Sequence, residues 1–292
     1  MNPGIKLGAF ALVLAAVLGV GAALGTVAGP IDVGGDSGHD AHEAERPVRT
    51  DLPAAGVLVS QDGYTLESED RRLDAGELAF TITGPDGAPV TSFRELHDRE
   101  LHLIIASRDL QQYTHLHPVR DRSGRWTVDL PAFPGGAYRA FADFRPAGAE
   151  RYTLGVDLVA PGPPSPAEPL HPRSTDTVDG FEVTLADVSS GDRSEMVVTV
   201  RRGGAVVTTE RYLGAAGHLV ALRDGDLAYL HVHPLGVEPA GPVRFAVEVP
   251  SAGTYALFFD FKVDGEVHTA RFVVDTSDSH AQSGSPHGSP GE

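Results

Sequence analysis

Two stretches of this chain overlay without a gap. Residues 102–118 read HLIIASRDLQQYTHLHP, and residues 218–234 read HLVALRDGDLAYLHVHP. His102, His115 and His117 fall on His218, His231 and His233, Tyr113 on Tyr229, and Pro118 on Pro234. Around them, Asp62-Gly63-Tyr64 matches Asp179-Gly180-Phe181, Gly136-Ala137-Tyr138 matches Gly253-Thr254-Tyr255, and Asp143-Phe144 matches Asp260-Phe261. A repeat of this spacing restricts the chain to two copies of one module, each the size of an ordinary domain. Solenoid units are much shorter.

The modules read as residues 54–160 and 175–276. In the first, segments 56–60, 64–67, 78–83, 101–107, 112–117, 125–130, 138–144 and 152–159 are short and alternate apolar with polar residues. Gly84-Pro85-Asp86-Gly87 and Asp121-Arg122-Ser123-Gly124 are turn clusters between them. Many short strands without a sustained helical period predict an all-β sandwich in each module. The Pro-rich segment 161–174, PGPPSPAEPLHPRS, is expected to be an extended linker between two separable cores.

Segments 101–107 and 112–117 predict a hairpin, and Asp224-Gly225-Asp226 marks the same bend in the second copy. If the loop is centred on 109–110, opposed residues have numbers summing to 219. His102 then faces His117, and Ile104 faces His115. Residues two apart share a face of a strand, so the three imidazoles converge. Opposed Cβ atoms lie ~5 Å apart, within reach of one ion ~2.0–2.1 Å from each nitrogen. His218, His231 and His233 predict a second such site.

Asp143 and Asp260 hold equivalent places on a late strand. Each is a candidate fourth ligand, a candidate acceptor for an imidazole N–H, or a surface charge. His97 and His268 are unrepeated, with Leu213 and Tyr152 in the corresponding places, and read as extra ligands or as ordinary histidines. Imidazole with an optional carboxylate suits Cu(II) or Zn(II), and Cu(II) binds more tightly in the usual divalent order. Free imidazole titrates near ~6.5, so binding is expected to weaken as pH falls through about 6.

The formal net charge of −17 opposes binding to nucleic acid or to anionic lipid. The absence of cysteine removes disulfides, thiolate metal centres such as blue copper, and cysteine nucleophiles. There is no G-x-S-x-G elbow, paired carboxylate motif or phosphate-cradling glycine loop. The chain therefore reads as a binding protein, not an enzyme.

Residues 1–30 carry Lys6 followed by an uncharged, Ala- and Leu-rich run. That predicts a transmembrane helix or signal anchor, with Thr26-Val27-Ala28 resembling a cleavage site. Lys6 before the run and Asp32 and Asp36 after it place both modules outside the cytoplasm, in the membrane-anchored or the secreted form. Residues 31–53 read as a polar linker, and residues 277–292 as a disordered tail.

At these residues the chain resembles actinobacterial membrane-anchored or secreted proteins. These carry an LHLIIASRDLQQYTHLHP-like hairpin and, later, YLGAAGHLVALRDGDLAYLHVHP followed by PSAGTYALFFDF. The likeness spans both modules. It implies tandem Ig-like or cupredoxin-like β-sandwich domains and a link to copper or heavy-metal handling in the cell envelope. The copper-resistance C family is a functional analogue whose N-terminal His ligand has no counterpart here, so none of its residues is carried over.

The expectation is thus an extracytoplasmic protein with a divalent metal, copper before zinc, on each module. Buffering, resistance or delivery to an envelope metal-transport partner would be its task. The competing expectation is an envelope interaction module whose histidines are structural.

Overall fold

The computed structural model describes residues 54–276, apart from 75, 165, 191–192, 231, 237–240, 248 and 250. The expected anchor, the linker 31–53 and the tail lie outside the described residues. Among the described residues no helix is long and apolar enough to cross a membrane.

The first module contains β1 (Ser60–Gln61), β2 (Tyr64–Ser68), β3 (Gly76–Thr83), β4 (Phe93–Arg94), β5 (Leu101–Ser107), β6 (Tyr113–Leu116), β7 (Val119–Arg120), β8 (Arg125–Leu130), β9 (Gly136–Pro146) and β10 (Tyr152–Ala160). The second contains β11 (Thr175–Val178), β12 (Phe181–Ser190), β13 (Arg193–Arg202), β14 (Ala205–Val206), β15 (His218–Arg223), β16 (Tyr229–Leu230), β17 (Val232–Pro234), β18 (Val243–Val247), β19 (Thr254–Val263) and β20 (Glu266–Asp275). The first pairs its strands antiparallel in the orders β1-β2-β3-β8-β7 and β10-β9-β5-β6. The second repeats this as β11-β12-β13-β18-β17 and β16-β15-β19-β20. The repeated Asp-Gly pairs are two-residue hairpin turns, with φ of 50° and 86° at Asp62 and Gly63 and 50° and 80° at Asp179 and Gly180. Left-handed backbone at both central positions is what such turns require, which explains those residue types.

Each module has its own core between its two sheets. In the first, Leu101, Leu103 and Ile105 of β5 and Tyr138, Ala140, Ala142 and Phe144 of β9 face Phe80, Ile82 and Trp126. In the second, Leu219 and Ala221 of β15 and Tyr255, Leu257, Phe259 and Phe261 of β19 face Phe181, Val198 and Phe245. Alternation along a strand sends the intervening residues to the opposite face. There they meet a third apolar layer, in which Ile104, Ala106 and Phe141 pack with Val220, Leu222, Ala256 and Phe258. The two modules therefore stand back to back, and β5 is buried on both faces along its length.

The two cores expected to be joined by a spacer also pack directly on each other through this layer. Both modules belong to one compact unit, Asp51–Glu292. The Pro-rich segment lies on the contact. Leu170 packs into the shared layer, the Glu168 carbonyl accepts from the Gln111 amide at 3.1 Å, and Arg173 pairs with Val273. Segment 54–59 is pinned between the modules as well. Buried Arg139 donates to the carbonyls of Gly56, Val57 and Gly155 and to Asp157, while the Tyr229 N–H donates to the Ala55 carbonyl. A Cβ at Gly155 would lie 2.0 Å from the Gly56 oxygen, so this close approach requires glycine.

The shared layer should make unfolding cooperative across the modules. Phe258→Ala, in the second module, removes a side chain that is 2% exposed and should cost about 3–5 kcal/mol. The sole tryptophan, Trp126, sits in the first module's core. Its fluorescence transition in urea should shift to lower denaturant along with the second module's circular-dichroism transition. A tryptophan transition unchanged by the substitution would contradict the coupling.

Candidate metal centre

The predicted hairpin register is present. Leu103 pairs with Leu116 and Ile104 with His115, so opposed residues sum to 219. The side of the sheet that carries His102 and His115 is the one turned toward the other module. β6 ends at Leu116; His117 and Pro118 then lead to β7 in the opposing sheet. The three ring nitrogens converge as expected. His102 Nδ1 stands 3.0 Å from His115 Nε2 and 3.2 Å from His117 Nε2. His102, His115 and His117 form a group that could hold a metal ion, their ligand atoms lying within 4.8 Å of one another.

The outward nitrogens of two of these rings are fixed. His102 Nε2 donates to the Leu96 carbonyl at 2.8 Å, and His115 Nδ1 donates to the Asp260 carboxylate at 2.9 Å. A neutral imidazole has one N–H and one lone pair. In the neutral form of both rings, with the N–H groups directed outward, the facing nitrogens of His102 and His115 each present a lone pair to the same point. Carbonyl and carboxylate partners of this kind orient metal-binding imidazoles.

The second copy is built differently. Its hairpin keeps the register, with Ala221 opposite Leu230 and Leu222 opposite Tyr229. The chain then leaves that sheet earlier, and β17 pairs with β18. His231 and the side chain of His233 lie outside the described residues. His218 is placed, and it faces the first module's histidines across the shared layer. Its ring centre is 6.2 Å from that of His102, 6.3 Å from His115 and 5.2 Å from His97. His218 Nε2 donates to the Tyr212 carbonyl at 2.9 Å, the counterpart of the bond from His102 to Leu96. The backbone of His97 is left-handed at φ 51°, but Leu213 in the second copy has φ 49°, so the turn is a property of the module and not of the histidine.

The two aspartates differ. Asp260 on β19, 2% exposed, accepts from His115, from the Tyr113 hydroxyl at 3.2 Å and from Thr269 at 2.6 Å. It serves the other module's hairpin as a second-layer acceptor. Asp143 on β9 is ion-paired with Arg151, whose Nε lies 2.8 Å from its Oδ1. Val267 stands where Arg151 would be in the second copy. His268 lies outside the cluster: its Nδ1 bonds Asp179 at 2.8 Å and its ring packs against Phe181 and Phe261.

Tyr113, Tyr212 and Arg151 were not among the residues singled out as site candidates. A signal for Tyr113 existed, because it is retained as Tyr229 in the repeat. Tyr113 stacks on Phe258 with ring centres 4.1 Å apart, and Tyr229 packs on Phe141 at 5.8 Å. The contact is reciprocal between the copies.

Residues 59–157 and 176–278 each match the family described as a domain of unknown function, DUF8832. No curated protein matches the chain. Among solved structures, the BSP domain of a biofilm-associated protein is 13% identical with a TM-score of 0.21, over 72% of this chain. The chain spans 29% of that protein's length. The titin A168–A169 structure is 9% identical, TM-score 0.19, over 73% of this chain and 96% of its own. The chicken CNTN1 FN1–FN3 domains are 13% identical, TM-score 0.20, over 76% and 65%.

Burial and the neighbouring imidazoles push His102 down to about 3 and His117 down to about 2, and burial pushes His218 down to about 4. In the unfolded chain they titrate near ~6.5, so below that pH the unfolded state binds more protons. Stability without metal is therefore full above about pH 6.5 and is lost progressively as pH falls through about 4, where His218 titrates in the fold, and on toward about 2. The urea midpoint should be lower at pH 5 than at pH 7.5. Equal midpoints would contradict the burial of these rings as neutral groups.

Proposed function

This chain belongs to the DUF8832 family, and we propose that its function is to bind a divalent transition-metal ion through His102, His115 and His117. One observation carries this: ring nitrogens of His102, His115 and His117 converge within 4.8 Å of one another, while the outer nitrogens of His102 and His115 are held by Leu96 and Asp260. Nitrogens on one tetrahedral ion at ~2.0–2.1 Å are about 3.3 Å apart, so little movement is needed.

An all-nitrogen shell favours Cu(II), with Zn(II) second. The role is buffering or delivery outside the cytoplasm, consistent with Lys6 and the apolar run that follows it. Binding is the reading that three ring nitrogens converging on one point support. The depressed histidines bear on the expected acid sensitivity. Protons compete poorly for His102 and His117, so those two rings stay available to a metal below the pH at which free imidazole is protonated.

Calorimetric titration of the untagged protein with Cu(II) and Zn(II), beside thermal melts, tests the proposal. Binding tighter than roughly micromolar, about −8 kcal/mol, is expected, with a metal-dependent rise in melting temperature. The double change His115→Ala and His117→Ala should abolish both. If the histidines are structural, the wild-type protein shows no metal-dependent shift, and only the loss of stability in the variant remains.

A further inference from the structure

We propose that the ion is shared between the modules: His218 of the second module supplies a fourth nitrogen, so that one metal ion bridges the back-to-back contact and tightens it. This rests on the three-histidine reading above and adds to it the composition of the shell and its effect on the protein.

The position of His218 is the first argument. His97, His102, His115 and His218 line one small cavity of about 30 Å³ at the edge of the shared layer, together with the Asp143–Arg151 ion pair, while His117 approaches His102 from outside that lining. That is room for an ion or one water, with imidazoles arriving from both modules.

Orientation is the second. His218 Nε2 donates to the carbonyl of Tyr212, six residues upstream, as His102 Nε2 donates to that of Leu96, also six upstream. Each copy thus presents Nδ1 as the acceptor nitrogen. The backbone carbonyl does for His218 what it does for an accepted member of the triplet.

Spacing is the third. Ring centres within the triplet are 5.2, 5.1 and 4.7 Å apart. Imidazoles on adjacent positions of one ion at ~2.0–2.1 Å have centres about 5 Å apart, and on opposite positions about 6.4 Å. The 6.2 and 6.3 Å from His218 to His102 and His115 are both close to the opposite-position spacing, and only one ring can stand opposite His218, so this ring, which lies outside the 4.8 Å group of the other three, must move inward to complete the shell. Asp260, also from the second module, already holds His115 from behind.

The consequence is linkage. An ion that needs ligands from both modules binds only when they are packed together, so it stabilises the packed state by mass action. Occupied and unoccupied protein should differ in how readily the shared layer opens, more than in how readily either inner core opens.

The test uses the full chain as wild type and as His218→Ala, His218→Gln and His97→Ala, titrated with Cu(II). Gln keeps a donor for the Tyr212 carbonyl while removing the metal-binding nitrogen, which separates ligation from folding. Expected results are at least a tenfold loss of affinity in both His218 variants and a change of no more than about threefold in His97→Ala. The Cu(II) electron paramagnetic resonance spectrum should lose one coordinated nitrogen in the His218 variants. Metal should slow amide exchange of β5 and β15 in the wild type and fail to do so in His218→Gln. If the wild type binds but both His218 variants bind equally well with an unchanged spectrum, the bridging proposal is overturned while the three-histidine site stands. If the wild type binds no metal, both are overturned.

Discussion

Ile104, Phe141, Leu222 and Phe258 bury the outer faces of two sheets against each other, and the chemistry of the neighbouring histidines follows from that burial. Each such side chain contributes about 1.5–3 kcal/mol by leaving water, enough to join two sandwiches that each possess a full core. The same exclusion of water reaches His102 and His218, which are 4% and 8% exposed. A buried polar group without a partner is costly, and the cluster meets that cost with outward bonds to Leu96, Tyr212 and Asp260. The resulting arrangement turns the inward nitrogens of these rings toward one another in a site shielded from water. Pulling the modules apart would hydrate the rings and return them toward ordinary histidine behaviour.

The two buried aspartates show how the same contact is balanced in two ways. Asp260 is satisfied by His115, Tyr113 and Thr269, two of them from the other module. Asp143, its repeat partner, is neutralised by Arg151 from its own module. A carboxylate tied to a guanidinium is a weak ligand, because a metal would have to displace the arginine. A carboxylate that already orients an imidazole strengthens that imidazole as a ligand. The difference makes the two halves of the cluster chemically unequal although their strands superpose in order and register.

Much of this architecture was legible in the residues. The short alternating segments gave the sandwiches, and the sum of 219 gave the hairpin register and the meeting of the three histidines. The back-to-back contact was missed, although its signal was present. HLIIAS and ALFFDF are nearly continuous apolar runs, and a strand buried on one face alone should alternate. The earlier exit of the second hairpin was not legible, because it depends on where the chain crosses between sheets. The partnership of His115 with Asp260 spans 145 residues and joins two modules. Periodicity within one module contains nothing that could reveal it.

The reciprocal stacking of Tyr113 on Phe258 and Tyr229 on Phe141 has the form of an isologous interface, the kind that two identical subunits make about a two-fold axis. Here both partners lie on one polypeptide. In a homodimer every substitution appears twice, so an arginine opposite one aspartate would also stand opposite the other. Covalent fusion removes that constraint. Arg151 faces Val267 in the alignment of the copies, and His97 faces Leu213. One half can thus specialise in ligation while the other specialises in support, an asymmetry that a symmetric dimer cannot encode.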